Sequence, residues 1–139
     1  VCGAHEVIRY QKKVSGPILD RIDMQITVPR VELHELKERG NAGITSAEMR
    51  ERVARARDIG LRRAGRLNAD MTAKQCDQII RLTHEGEQCI EKMWHASLLS
   101  ARGYYRVLKV AQTIADVEGA PQVTEKHLAE SFSYRLREK

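Results

Sequence analysis

Two arginines in this sequence stand where a guanidinium could meet a phosphate. Arg102 falls in the first turn of a helix that Ser100 should cap, and there the helix dipole disfavours a cation unless an anion is bound beside it. A planar guanidinium at such a helix start suits phosphate oxygens. The same helix carries Arg106, Lys109 and Thr113 at i+4, i+7 and i+11 from Arg102, on one face. Periodicity alone favours the plainer reading, a solvated charged face on an amphipathic helix. Arg21 lies in Ser15-Gly-Pro-Ile-Leu-Asp-Arg-Ile-Asp, at the start of an apolar alternation and flanked by Asp20 and Asp23. An arginine held there could point at a neighbouring subunit, as arginine fingers do in phosphoryl transfer. Taken alone, a local Asp-Arg pair at a loop end is the favoured reading.

The elements that must hold these residues follow from pattern and punctuation. EVIRYQKKV, from Glu6 to Val14, reads as a short basic helix stopped by Ser15-Gly16-Pro17. Ile22, Met24, Ile26 and Val28 then alternate with Asp23, Gln25 and Thr27, which predicts a strand of about seven residues. A lone strand is unstable in water, so its pairing partners are expected upstream of this sequence. Pro29 to Gly43 is a connector, with room for a short helix in VELHELKERG.

Beyond it the pattern is helical. Thr45 with Glu48 forms a capping box that opens an arginine-rich helix to about Ala64, and Thr72 with Gln75 a second that opens a helix to about Leu82. Thr83 starts a third helix carrying Ile90, Met93 and Trp94, Ser100 a fourth, and Thr124 a fifth after the Gly119-Ala120-Pro121 break. On the fourth, Tyr104, Leu108, Ala111 and Ala115 form a stripe that Val107, Val110, Ile114 and Val117 widen, so most of its circumference should be buried. The expected fold is mainly α, a helical bundle preceded by a short helix-strand stub.

Composition removes other classes of function. With 42% hydrophobic and 31% charged residues in 139, the chain is the size of one foldable domain and not a disordered tail. No apolar run is long enough to span a bilayer and no signal-peptide pattern opens the sequence, so a soluble, cytoplasmic protein with no membrane partner is expected. Three cysteines, Cys2, Cys76 and Cys89, show no CxxC spacing, which suits a reducing compartment. Cys2 and His5 alone do not make a zinc site, and no metal site is expected. Cys76 and Cys89 fall in helical patterns and read as small core residues. No GxxxxGK[ST] phosphate loop is present, and no acidic Mg²⁺ motif follows a hydrophobic strand, so this chain alone should not hydrolyse a nucleotide. The net charge of +5 and the arginines at 50, 52, 55, 57, 62 and 63 are compatible with a free-standing DNA-binding module. Their spacing spreads them around the helix, and Glu48, Glu51 and Asp58 dilute them, so a solvated surface is favoured. A simple oligomerisation element is a third reading. The absent initiator Met and the unpaired strand together read as a piece of a longer protein.

Four blocks in order, RYQKKVSGPILDRIDMQITVPRV, ITSAEMRERVARAR, LLSARGYYRVLKVAQTIADVEG and VTEKHLAESFSYR, resemble the C-terminal part of bacterial magnesium-chelatase-like AAA+ ATPases of the ComM/YifB type. The resemblance spans nearly the whole chain. It implies that residues 1–30 end the ATPase core, 31–44 are a linker and 45–139 are the helical lid. It also implies that Arg21 is an arginine finger acting in trans and that Arg102 is sensor 2, in cis or across the interface. The full-length protein would bind ATP and Mg²⁺, assemble with copies of itself into a ring, hexameric by the same resemblance, and remodel DNA as a branch-migration helicase does. A magnesium chelatase subunit is the alternative within the same resemblance. Walker A, Walker B and sensor 1 are missing from these residues, and Cys2 resembles a remnant of the cysteine-rich stretch that precedes the first helix in similar proteins.

Overall fold

The computed structural model describes residues 21–31, 43–96 and 99–135. Cys2, His5, the Glu6 to Val14 helix, Asp20 and most of the Pro29 to Gly43 connector lie outside them. Five helices follow one another: α1 (Ser46–Ala64), α2 (Ala73–Ile79), α3 (His84–His95), α4 (Ala101–Glu118) and α5 (Glu125–Ser133), with a 3₁₀ turn at Asn68–Asp70 between α1 and α2.

The helices begin where the threonines and the serine direct. Thr45 Oγ1 accepts from the Glu48 amide at 3.2 Å while Glu48 Oε2 accepts from the Thr45 amide at 2.8 Å, and Thr72 with Gln75 repeats the exchange at 3.3 and 2.9 Å. Thr83 and Ser100 accept from the amides of Gly86 and Gly103. At α5 the roles change hands: the Thr124 amide donates to His127 Nδ1 at 3.0 Å. That acceptor role leaves the ring proton on Nε2, which donates to Glu118 Oε2 at 3.0 Å. The buried imidazole thus ties the start of α5 to the end of α4.

Helix α4 is the axle of the bundle. It packs against α1, the 3₁₀ turn, α2 and α5, and buries Val107, Leu108, Ala111 and Ala115 as the stripe requires. Each Val or Leu so buried contributes about 1.5 to 3 kcal/mol. Met71, Cys76, Ile80, Ile90, Leu99, Val123 and Leu128 complete the core. Val117 departs from expectation: it is 53% exposed and lines an apolar cleft with Val53, Ala56 and Leu67, because only one edge of α1 reaches α4 there.

Two further expectations are corrected. Residues 22–28 form no strand: Ile22, Met24, Ile26 and Val28 are all exposed, and the described residues offer no strand for them to pair with. Instead the Gln25 amide donates to the Tyr134 carbonyl at 2.8 Å. Helix α2 stops at Ile79, short of Leu82, because Leu82 forms a parallel bridge with Val123. The Thr83 amide donates to the Val123 carbonyl and the Val123 amide to the Arg81 carbonyl, so this chain segment must be extended. No helix is long and apolar enough to cross a membrane, among the described residues.

A buried ionic network fastens α1 to α4. Asp116 is 2% exposed and accepts from Arg63 Nη1 and Nη2 at 2.5 and 2.7 Å, Asn68 Nδ2 at 2.7 Å and Gln112 Nε2 at 3.0 Å. Four donors onto one carboxylate offset the cost of taking it out of water. Asp116→Asn should therefore destabilise the chain by about 3 kcal/mol, read by urea unfolding, because it sets an amide NH₂ against donors and strands the Arg63 charge.

Hydrogen bonds from His127 and Lys126 hold the Glu118 carboxyl below the usual carboxylate range, and the Thr45 backbone and hydroxyl do the same for Glu48. A carboxyl depressed in the folded state contributes its stability fully above the unfolded value and loses it as pH falls through the folded one. Unfolding free energy should thus decline as pH drops below the usual carboxylate range, and Glu118→Gln should flatten that decline.

Candidate functional site

The charged face of α4 forms one wall of a cleft of about 420 Å³, lined by Asp23, Ala69, Ala101, Arg102, Tyr105, Arg106 and Lys109. Three cations face one carboxylate, so the cleft is net positive. Local sequence explains the wall. Ser100 opens the helix, residues 102, 106 and 109 share a face at helical spacing, and the opposite side is held in the core by Val107, Leu108 and Ala111. The aromatic edge is fixed too: Tyr105 donates to Asp77 Oδ2 at 3.2 Å and stands edge-on to Tyr104, ring centres 5.1 Å apart.

Of the two arginines singled out by sequence, Arg102 lines the cleft, whereas Arg21 meets its wall through its main-chain carbonyl. Arg102 is exposed in the first turn of α4, and among the described residues its guanidinium holds no hydrogen bond or ion pair. Arg21 begins the described N-terminal segment, also exposed. Its carbonyl accepts from Arg106 Nη1 at 2.6 Å, and Asp23, two residues on, pairs with the same Nη1. Of the two carboxylates expected to flank Arg21, Asp23 bonds Arg106 from α4, and Asp20 lies outside the described residues.

The neighbouring cations are not equivalent. Lys109 Nζ is spent on the Ala69 carbonyl at 3.0 Å, tying α4 to the 3₁₀ turn, and Arg106 is committed to the N-terminal segment. Arg102 is the cation of the cleft that has no protein partner among the described residues. Gly103 beside it packs closely on the cap: a Cβ there would stand 3.2 Å from Ser100 Oγ and in ordinary contact with Arg135 Nη2 at 3.6 Å. Arg135 donates to the Ile22 carbonyl at 3.3 Å.

The other candidates separate from this cleft. Burial pushes the thiols of Cys76 and Cys89 up, which keeps them protonated and unreactive in neutral solution. On α1, Arg55 pairs with Glu51 and Arg62 with Asp58 on the exposed side, while Arg63 turns inward to Asp116. These arginines do not form one stripe for a nucleic-acid backbone. Sequence reasoning placed Arg106 on the right face but gave it no partner. Its i+4 relation to Arg102 is visible in sequence, whereas its acceptor lies 85 positions upstream.

Comparison with known proteins gives a consistent set of likenesses. Residues 43–135 match the family model for the magnesium chelatase subunit ChlI C-terminal region, and residues 1–36 match that for magnesium chelatase subunit ChlI. The chain is 40% identical over 130 residues to the competence protein ComM of Haemophilus influenzae, covering 94% of this chain and 26% of that protein. It is 34% identical over 134 residues to the uncharacterized protein YifB of Escherichia coli, covering 96% of this chain and 26% of that protein. The chain thus spans about a quarter of the length of the curated relatives it matches.

The cap beneath the cleft offers a direct check on how the wall is held. Ser100→Ala removes the acceptor for the Gly103 amide and should cost about 1 kcal/mol in urea unfolding. Ser100→Asp should restore most of it, since an aspartate caps as well and favours the helix dipole.

Proposed function

The chain belongs to the magnesium chelatase ChlI family, and from that premise we propose that it is the lid, with the tail of the core, of a ring-forming AAA+ ATPase. In the full-length protein ATP and Mg²⁺ are bound by the phosphate loop and acidic motif of the core, and copies of the protein assemble around a shared axis, six to a ring. This chain supplies two guanidinium groups to the site. Arg21 reaches the γ-phosphate of ATP held by the adjacent subunit, and Arg102, as sensor 2, binds the same phosphate region. Both stabilise charge that develops on the transferred phosphoryl group.

The observation that carries this reading is the uncommitted guanidinium of Arg102 in a net-positive cleft, while the cations beside it are already bonded. A cation in the first turn of a helix is unfavourable until an anion joins it, so the cleft is prepared for one. Action of both residues across the interface is supported by the bond from Arg106 to the Arg21 carbonyl, which keeps the Arg21 block and the Arg102 helix on one side of one cleft.

Hydrolysis is coupled to remodelling of DNA in the cytoplasm. Kinship with a protein named for competence favours DNA over a porphyrin as the remodelled substrate. A free-standing DNA-binding module draws less support, because three of the six α1 arginines, Arg55, Arg62 and Arg63, are held by Glu51, Asp58 and the buried Asp116.

In the full-length protein, Arg21→Ala and Arg102→Ala should each lower ATP turnover on the order of 10²-fold or more. Near-normal rates in both variants would sink the assignments. Mixing Arg102→Ala subunits with subunits whose phosphate loop is disabled should recover turnover if Arg102 acts across the interface, since some interfaces then combine an intact Arg102 with an intact loop. No recovery would place Arg102 in the subunit that binds the nucleotide.

A further inference from the structure

Resting on the arginine-finger reading of Arg21, we propose that Arg106 is the positioning residue of that finger, locking the segment that carries it to the helix that carries Arg102. Residues 21–25 have no regular secondary structure, so no backbone ladder fixes them. Among the described residues, four bonds do so instead. Arg106 Nη1 donates to the Arg21 carbonyl at 2.6 Å and pairs with Asp23, Arg135 Nη1 donates to the Ile22 carbonyl at 3.3 Å, and the Gln25 amide donates to the Tyr134 carbonyl at 2.8 Å. Of these, only the Arg106 bonds come from α4 and touch residue 21 itself.

Burial shows which partner is fixed. The Arg106 side chain is 23% exposed, whereas that of Asp23 is 59% exposed. An exposed ion pair alone contributes little. Here the same guanidinium nitrogen also bonds a main-chain carbonyl, so it fixes the path of the backbone at Arg21 and not merely a side-chain rotamer. Arg106 stands one turn beyond Arg102 on the same face of α4. A rotation of α4 that moves Arg102 therefore moves Arg21 with it, and the two guanidinium groups reach a nucleotide as a pair. Arg106 does not itself contact phosphate; it acts through Arg21.

The test uses the full-length protein and two independent readouts. Hydrogen exchange at the Gln25 amide, two residues beyond Asp23, reports docking of the segment without reference to ATP. Arg106→Ala should speed that exchange by roughly tenfold, the loss of about one charge-assisted bond. Arg106→Lys, which keeps a cation within reach of either acceptor, should restore part of the protection.

In steady-state turnover, Arg106→Ala should lower kcat on the order of 10²-fold, as misplacement of a reacting group does, and leave KM for ATP unchanged. The Arg21→Ala, Arg106→Ala double variant should be no slower than Arg21→Ala alone, because one residue works through the other. Losses that multiply would overturn the proposal by showing an independent contact of Arg106 with substrate. Gln25 exchange unaltered by Arg106→Ala would overturn it by showing that the segment is held without Arg106. Full turnover in Arg21→Ala, with Gln25 exchange still responding to Arg106, would overturn the finger reading and leave the docking role standing.

Discussion

Asp116 lies in the last turn of α4 with almost no access to water, and a carboxylate in that place is costly unless its oxygens are hydrogen-bonded. The compensation comes from three parts of the chain: Arg63 on α1, Asn68 in the 3₁₀ turn and Gln112 one turn earlier on α4 itself. A buried pair of this kind adds less to stability than its Coulomb attraction suggests, yet it admits few alternative arrangements. It sets the register of α1 against α4 and the path of the chain through Asn68. The next residue, Ala69, lines the cationic cleft and accepts from Lys109. One wall of the candidate site is in this way an outcome of a carboxylate on the far half of α4.

What could be read in the sequence was local. Thr45, Thr72, Thr83 and Ser100 announce four helix starts because each can satisfy an amide within three residues, and that chemistry does not depend on the rest of the fold. The α4 stripe was readable for the same reason. The end of α2 was not, since it depends on Leu82 meeting Val123 across the bundle. The alternation at Ile22 to Val28 is a sound strand pattern, but a strand needs a neighbour, and within the described residues those side chains face solvent. The inward turn of Arg63 was hidden by its company: five other arginines on α1 share its residue type and not its partner.

The site shows the same division. Helix position and spacing mark Arg102 as a cation in an unfavourable place, and the structure puts it in the wall of the cleft. For Arg21, spacing favours a local ion pair over a finger, and the long-range bond from Arg106 engages Asp23, one of the two carboxylates that flank it. Family membership and geometry here speak to different things: the first says what kind of machine the chain belongs to, the second which of its cations are already spoken for.

The burial of α4 on most of its circumference has a mechanical consequence. A helix of 18 residues extends for about 27 Å at a rise of 1.5 Å per residue, so a tilt of about 10° pivoted at one end carries the other through about 5 Å. Packed by the core along its length and clamped to α1 near its C-terminal end, α4 is a stiff arm whose far end carries Arg102. A change of angle at the clamp too small to break the Asp116 network would move Arg102 by the width of a side chain.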